Sequence, residues 1–212
     1  MNDASRKAHW DNVYRTKAEN EVSWFQESPA PSLELIDLAR PAPAAAVVDI
    51  GGGASHLVDA LIDRGFINVT VLDLSEAALD AARTRLGDRA TRARWIAADV
   101  TEWHPTQLFD IWHDRAAFHF LTTAADQTAY VERLEKAVRP GGHVIIGTFA
   151  MNGPERCSGL PIVRHDAASL GKVLGGDFEL LHTRLHDHAT PWAAIQHFQF
   201  SLFRRLIEGV NP

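Results

Sequence analysis

The stretch VVDIGGGASHLVDAL, residues 47–61, runs from a β-branched apolar segment through three consecutive glycines into apolar residues spaced three and four apart. That order predicts a strand, a tight turn and a helix. The turn lacks the lysine with which a P-loop grips phosphate. Gly51, Gly52 and Gly53 have no side chains, so the backbone there can turn sharply and approach a ligand, with amide N–H groups pointing outward.

On either side of this stretch the pattern repeats. Short β-branched runs (VTVLDL, ARWIAADV, DIWHDR, HVIIGTFA) alternate with helix-spaced segments (SEAALDAARTRLG, TTAADQTAYVERLEKAVRPGG, DAASLGKVLGG). Such alternation predicts an α/β fold with a Rossmann-like, mostly parallel sheet and helices on both faces. The last two strands, in FELLHTRLHDH and AIQHFQFSLFRR, have no helical segment between them and are expected to form an antiparallel pair at one sheet edge. Prolines at 29–31 and 41–43 bracket a helix in SLELIDLAR. Residues 1–45 are read as an N-terminal lid and helical extension, and residues 46–212 as the core of what is one domain overall.

Composition narrows the function. The chain has 212 residues, 46% of them hydrophobic, enough to bury a core without staples. One cysteine, Cys157, leaves no disulfide framework, and no apolar run reaches the roughly 18 residues of a membrane span. A cytoplasmic location is the expectation. With a net charge of -6 and dispersed charges, neither nucleic acid nor membrane is an expected partner, and Arg204 and Arg205 read as strand-end solvation. Oligomeric state leaves no signal in the sequence.

Three acids give the glycine turn its context. Asp49 stands two residues before Gly51, Asp73 ends the second strand and Asp99 the third. Asp73 follows Gly51 by 22 residues, a separation at which a strand-end carboxylate accepts hydrogen bonds from both hydroxyls of a ribose, in NAD or any other adenosine ligand. A dinucleotide fingerprint would need glycine where the chain has His56, and Asp49 would repel a pyrophosphate. A ligand with an ammonium or sulfonium group at that end suits Asp49 better. Asp73 could instead cap the helix that follows, and Asp99 could be a turn residue.

The segments VVDIGGGAS, VTVLDLSEAAL, AADVTEW, FDIWHDRAAFHFL and VRPGGHVIIGTF, spanning about residues 46–150, resemble the successive motifs of the class I S-adenosylmethionine-dependent methyltransferases. The resemblance implies a seven-stranded sheet with an antiparallel last strand, and S-adenosylmethionine as cofactor. It assigns Asp49, the glycine turn and Ser55 to the methionine part, Asp73 and Leu74 to the ribose, and Asp99 with Val100 to the adenine. Ser55 departs from the third glycine of many members. His113, at the tip of the fourth strand, and the lid residues Tyr14 and Trp24 join the expected cofactor site.

Methyl transfer is an in-line displacement that needs a base only when the acceptor is protonated. His119, between Phe118 and Phe120, is the preferred base, with Asp114 a second catalytic candidate. Both have plain alternatives: His119 as a core histidine, Asp114 as half of a structural ion pair with Arg115. The Asp/Asn-Pro-Pro-aromatic signature of nucleic-acid amino methylation is absent. His182, His186, His188 and His197 lack the companions of a metal set, so no metal is expected. The turn-rich segment 151–166, with Cys157, is placed at the ligand edge.

The lid HWDNVYRTKAENEVSWFQ, with Trp10, Tyr14, Trp24 and Phe25, is similar to the entry segments of the elongation-factor lysine methyltransferases and of the thiopurine-type enzymes. The chain has little beyond its core to grip a protein, which favours a small-molecule acceptor in an enclosed apolar pocket. A protein lysine acceptor is the first alternative, and a non-catalytic cofactor-binding module the second.

Overall fold

The computed structural model describes residues 3–207, with side chains from residue 5 onward. In chain order the elements are α1 (Asp3–Thr16), α2 (Ala30–Ala39), β1 (Ala46–Ile50), α3 (Leu57–Asp63), β2 (Asn68–Asp73), α4 (Glu76–Leu86), β3 (Ala93–Ala97), β4 (Phe109–Arg115), α5 (Ala124–Ala137), β5 (Val138–Phe149), β6 (Arg156–Cys157), β7 (Leu160–Pro161), α6 (Ala167–Leu174), β8 (Phe178–Ala189) and β9 (Ile195–Arg205). Seven strands form one sheet in the order β3-β2-β1-β4-β5-β9-β8. The first five are parallel and β9 runs antiparallel between β5 and β8. The expected antiparallel pair at a sheet edge is therefore present.

Burial on both faces explains why β1 reads as almost continuous apolar sequence. Val47 packs with α2, α3 and α4 on one face, and Val48 and Ile50 with α5 and α6 on the other. Because α2 buries Leu33, Leu35 and Ile36 in that core, it belongs with the sheet rather than with the lid. Ser75 caps α4 by accepting the N–H of Ala78. Asp73 is thus not the cap; its Oδ1 accepts the Ser75 N–H at 2.8 Å.

Two details differ from the sequence reading. Residues 138–142, read with the preceding helix, start β5 instead: Val138 pairs with Phe109, and Gly141 takes the left-handed backbone that the irregular start needs. The 151–166 segment is no plain loop but holds the β6–β7 hairpin, which turns through Ser158 and Gly159 at φ 50° and 78°. Arg204 pairs with Glu179 at 2.7 Å, while Arg205 donates to the Val138 carbonyl at 2.5 Å and so ties β9 to the start of β5.

Candidate active site

The strand order reverses between β1 and β4, and ligands gather at such a point beyond the carboxyl ends of the strands. A cavity opens there, reached by Ile50 and Gly51 after β1, Asp73 and Leu74 after β2, Asp99 and Val100 after β3, and Arg115 to Ala117 after β4. A second cavity adjoins it, lined by Asp49, Gly51, Gly52, Ser55, His56 and His113 among others. Gly51, Arg115, Tyr14 and Trp24 border both.

The turn is built tightly around the acids. A Cβ on Gly52 would lie 2.5 Å from Asp49 Oδ2, and one on Gly53 2.7 Å from Asp73 Oδ2. Gly51 has φ 65°, and a Cβ there would strike Ala117 at 2.7 Å. Two of the amides expected to point outward do not: Gly51 and Gly52 N–H both donate to the Leu72 carbonyl, at 2.7 and 3.3 Å. Glycine therefore serves here to bring β1, β2 and their acids together as much as to admit a ligand. Ser55 donates its N–H to the Gly52 carbonyl at 2.7 Å, and its Oγ accepts the Leu57 N–H at 3.2 Å.

Asp49 is 2% exposed. Its Oδ1 meets His113 Nδ1 at 2.7 Å, while Nε2 of the same ring meets Ser32 Oγ of α2 at 2.8 Å. His113 thus holds Asp49 from behind. Asp49 Oδ2 is buried without a partner, a costly state for a carboxylate oxygen that a ligand ammonium group would relieve. Burial pushes the Asp73 carboxyl up to about 7, against the Ser75 N–H that favours its charged form. Asp99 Oδ1 accepts from Thr101 N–H and Oγ1 at 2.8 and 2.6 Å, and its Oδ2 pairs with Arg6 of α1 at 3.3 Å.

The lid covers this row. Trp10 meets Phe120 edge-on at 5.0 Å between ring centroids and Trp24 at 5.6 Å, and Trp24 Nε1 donates to the Tyr14 hydroxyl at 3.2 Å. Asp11, 9% exposed, accepts the Ser75 hydroxyl at 2.7 Å. A bond to a buried charge is worth about 1.5–3 kcal/mol, more than the pair that Asp11 makes with the exposed Lys7 one turn away, at about 0.3–0.5 kcal/mol. Further along, Glu19 is held by His56 and Arg85, each at 2.5 Å. His56, set where a dinucleotide fold has glycine, fastens the lid.

The two catalytic candidates lie elsewhere. His119 lines neither cavity: its ring is fully buried one layer back, packed on Phe120 and Phe149, with both nitrogens lacking a partner. Burial pushes its pKa down to about 3, with His165 and Arg115 adding to the shift. It stands behind Phe120 and Phe149, which line the larger cavity, and does not itself open on it. Asp114 is also fully buried; it accepts the Ala117 N–H at 2.9 Å, the Phe118 N–H and the Tyr130 hydroxyl at 2.9 Å. It shapes the turn after β4 and does not form the ion pair with Arg115, since successive strand residues point to opposite faces.

Arg115 was not among the expected site residues, although that alternation could have separated it from Asp114. It is half-buried, its Nη2 donates to the Trp24 carbonyl at 2.9 Å, and its Nη1 is buried without a partner. Phe149, Cys157 and Phe198 also line the larger cavity. Burial pushes the Cys157 thiol up to about 12, so it stays protonated. Among the described residues no three His, Cys, Asp or Glu side chains converge as a metal site, and no helix is long and apolar enough to cross a membrane.

Residues 47–142 match the family described as "Methyltransferase domain". The chain is 28% identical over 190 residues to ubiquinone biosynthesis O-methyltransferase from Aromatoleum aromaticum, covering 87% of this chain and 71% of that one. It is 25% identical over 155 residues to EEF1A lysine methyltransferase 2 from Danio rerio, covering 66% of each. The N-methyltransferase NodS from Bradyrhizobium japonicum, solved in complex with S-adenosyl-L-homocysteine, has the same fold: TM-score 0.69 at 17% identity, over 92% of this chain and 99% of that one. The chain spans about half the length of the curated relatives it matches, from 40% to 71%.

Proposed function

We propose, from the chain's membership of the class I S-adenosylmethionine-dependent methyltransferases, that it transfers a methyl group from S-adenosylmethionine to a small-molecule acceptor. One observation carries the reading. Around the two adjoining cavities stand a buried carboxylate oxygen without a partner, on Asp49, and two further carboxylates at or just past strand ends, Asp73 and Asp99, under the aromatic N-terminal segment. A ligand with an ammonium group, a ribose and an adenine fits that series in order.

In this reading Asp49 takes the amino group, with Gly51, Gly52, Gly53 and Ser55 shaping the space beside it and His113 fixing the carboxylate. Asp73, with Leu74 beside it, accepts from the ribose hydroxyls, and Asp99 with Val100 borders the adenine. Tyr14 and Trp24 close over the junction. When bound, S-adenosylmethionine supplies a methyl on a sulfonium that departs as a neutral thioether. The protein's share is to position the two reactants and exclude water.

The similarity to the zebrafish lysine methyltransferase favours a second reading, a lysine side chain as acceptor. Incubating lysate with the full chain and methyl-labelled cofactor separates the two. Label in one low-mass product supports the first reading, label in a protein band the second, and no label anywhere leaves a cofactor-binding module.

A further inference from the structure

Resting on that reading, we propose that the acceptor is a small planar acid (a carboxylic acid, phenol or thiol on a flat apolar body) bound as its anion against Arg115. Once the strand-end acids are assigned to cofactor, the remaining wall of the larger cavity is aromatic: Trp10, Trp24, Phe120, Phe149 and Phe198. Flat rings at these angles accept a flat apolar body. Two arginines line the cavity: Arg6 pairs with Asp99 on the cofactor side, and Arg115 is set into the aromatic wall, its Nη1 without a partner and its Nη2 fixed by the Trp24 carbonyl. A guanidinium whose buried Nη1 is idle calls for an oxygen or sulfur anion.

That anion belongs to the acceptor rather than to the cofactor's own carboxylate. Asp49 and Tyr14 act on the Arg115 charge from the methionine end, while Arg115 itself stands in register with Gly147 of β5, the strand that carries Phe149, with Cys157 and Phe198 lining the same cavity. It also borders both cavities, where the methionine and acceptor ends of the site meet. The chemistry suits the larger cavity, whose lining among the described residues holds no histidine. The acid's proton passes to solvent on binding, and a lone pair on the acceptor anion forms the bond to the methyl carbon. The carbon–sulfur bond breaks with its electrons left on sulfur, so charge is neutralised and no proton needs a protein acceptor.

The test uses the full chain loaded with S-adenosylhomocysteine and three matched probe pairs: benzoate and benzamide, 4-nitrophenolate and 4-nitroanisole, 4-nitrothiophenolate and 4-nitrothioanisole. At least one anion should bind about tenfold or more tightly than its neutral partner. Arg115→Gln should erase that preference and Arg115→Lys restore part of it. In both variants S-adenosylhomocysteine and 5′-methylthioadenosine should bind within about threefold of the parent, a small change in free energy. No preference in any pair overturns the proposal, even should Arg115→Gln fail to fold. A loss of S-adenosylhomocysteine affinity in Arg115→Gln with 5′-methylthioadenosine unaffected also overturns it, by giving Arg115 to the cofactor's carboxylate. Failure of the parent chain to bind S-adenosylhomocysteine defeats the underlying reading instead.

Discussion

The two halves of the cavity are built in different ways. On the β1–β3 side the acids that face the ligand space each belong to a short segment: Asp49 and its glycines, Asp73 with Leu74, Asp99 with Val100. Their partners are mostly local, as with Ser75 for Asp73 and Thr101 for Asp99. On the β4–β5 side the wall is gathered from residues 10, 24, 115, 120, 149, 157 and 198, most of them aromatic. The first half is set by backbone turns and suits a constant ligand. The second is set by side chains from distant segments and is free to vary with the acceptor.

Removing residues 1–26 breaks the second half outright, because Trp10 and Trp24 go with it. Turnover should be lost, while circular dichroism should report a folded core, since the sheet is built from residue 46 onward. A truncated chain that methylates at the full rate would reduce the lid to packing. On the first half, Asp73→Ala removes two hydrogen bonds to a charged acceptor, each worth about 1.5–3 kcal/mol before water compensates. S-adenosylhomocysteine affinity measured by calorimetry should fall by about tenfold to a thousandfold.

The raised Asp73 carboxyl also gives the first half a pH signature. The folded empty chain holds a proton that the unfolded chain has lost, so between about pH 4 and 7 this group makes the empty fold less stable as pH rises. Ligand binding runs the other way, because ribose hydroxyls donate to the ionised form. Affinity should therefore weaken as pH falls through about 7, approaching tenfold per pH unit below it. In Asp73→Asn that slope should vanish; if it persists, another group sets it.

Smaller effects distinguish packing from chemistry. Gly52→Ala places a methyl against Asp49 Oδ2 and Val71, which should cost about 1–3 kcal/mol in chemical denaturation. His119→Leu removes two buried nitrogens without partners, and stability should hold or rise by about 1 kcal/mol. Its turnover should stay within about tenfold of the parent, below the roughly hundredfold that loss of a base entails. A larger drop with cofactor affinity intact would return His119 to the chemistry.

The same contrast explains what the sequence made legible. The alternation of strand and helix, the glycine turn and the three acids are local signals; Asp73 ends β2 as read, while Asp99 stands two residues past the end of β3 and residues 138–142 join β5 rather than the helix before it. What escaped depends on contacts between distant residues. Ser32 behind His113, the Leu72 carbonyl that takes the Gly51 and Gly52 amides, and Asp11 on Ser75 have no signature in their own segments. His119 looked catalytic because it follows β4, but the short turn fixed by Asp114 carries Phe120 to the cavity and turns the histidine inward. Arg115 was hidden by its neighbour: adjacent opposite charges suggest a pair, yet in a strand they face apart.

The central claim, that the adjoining cavities hold S-adenosylmethionine along Asp49, Asp73 and Asp99, is tested most directly by titrating the full chain with S-adenosylhomocysteine and, separately, with NADH, in a calorimeter. S-adenosylhomocysteine should bind in the range typical of metabolite sites, about 1 μM to 1 mM, and clearly more tightly than NADH. NADH binding as tightly or more tightly would contradict the assignment, because the unpartnered Asp49 oxygen beside the glycine turn would then be facing a pyrophosphate.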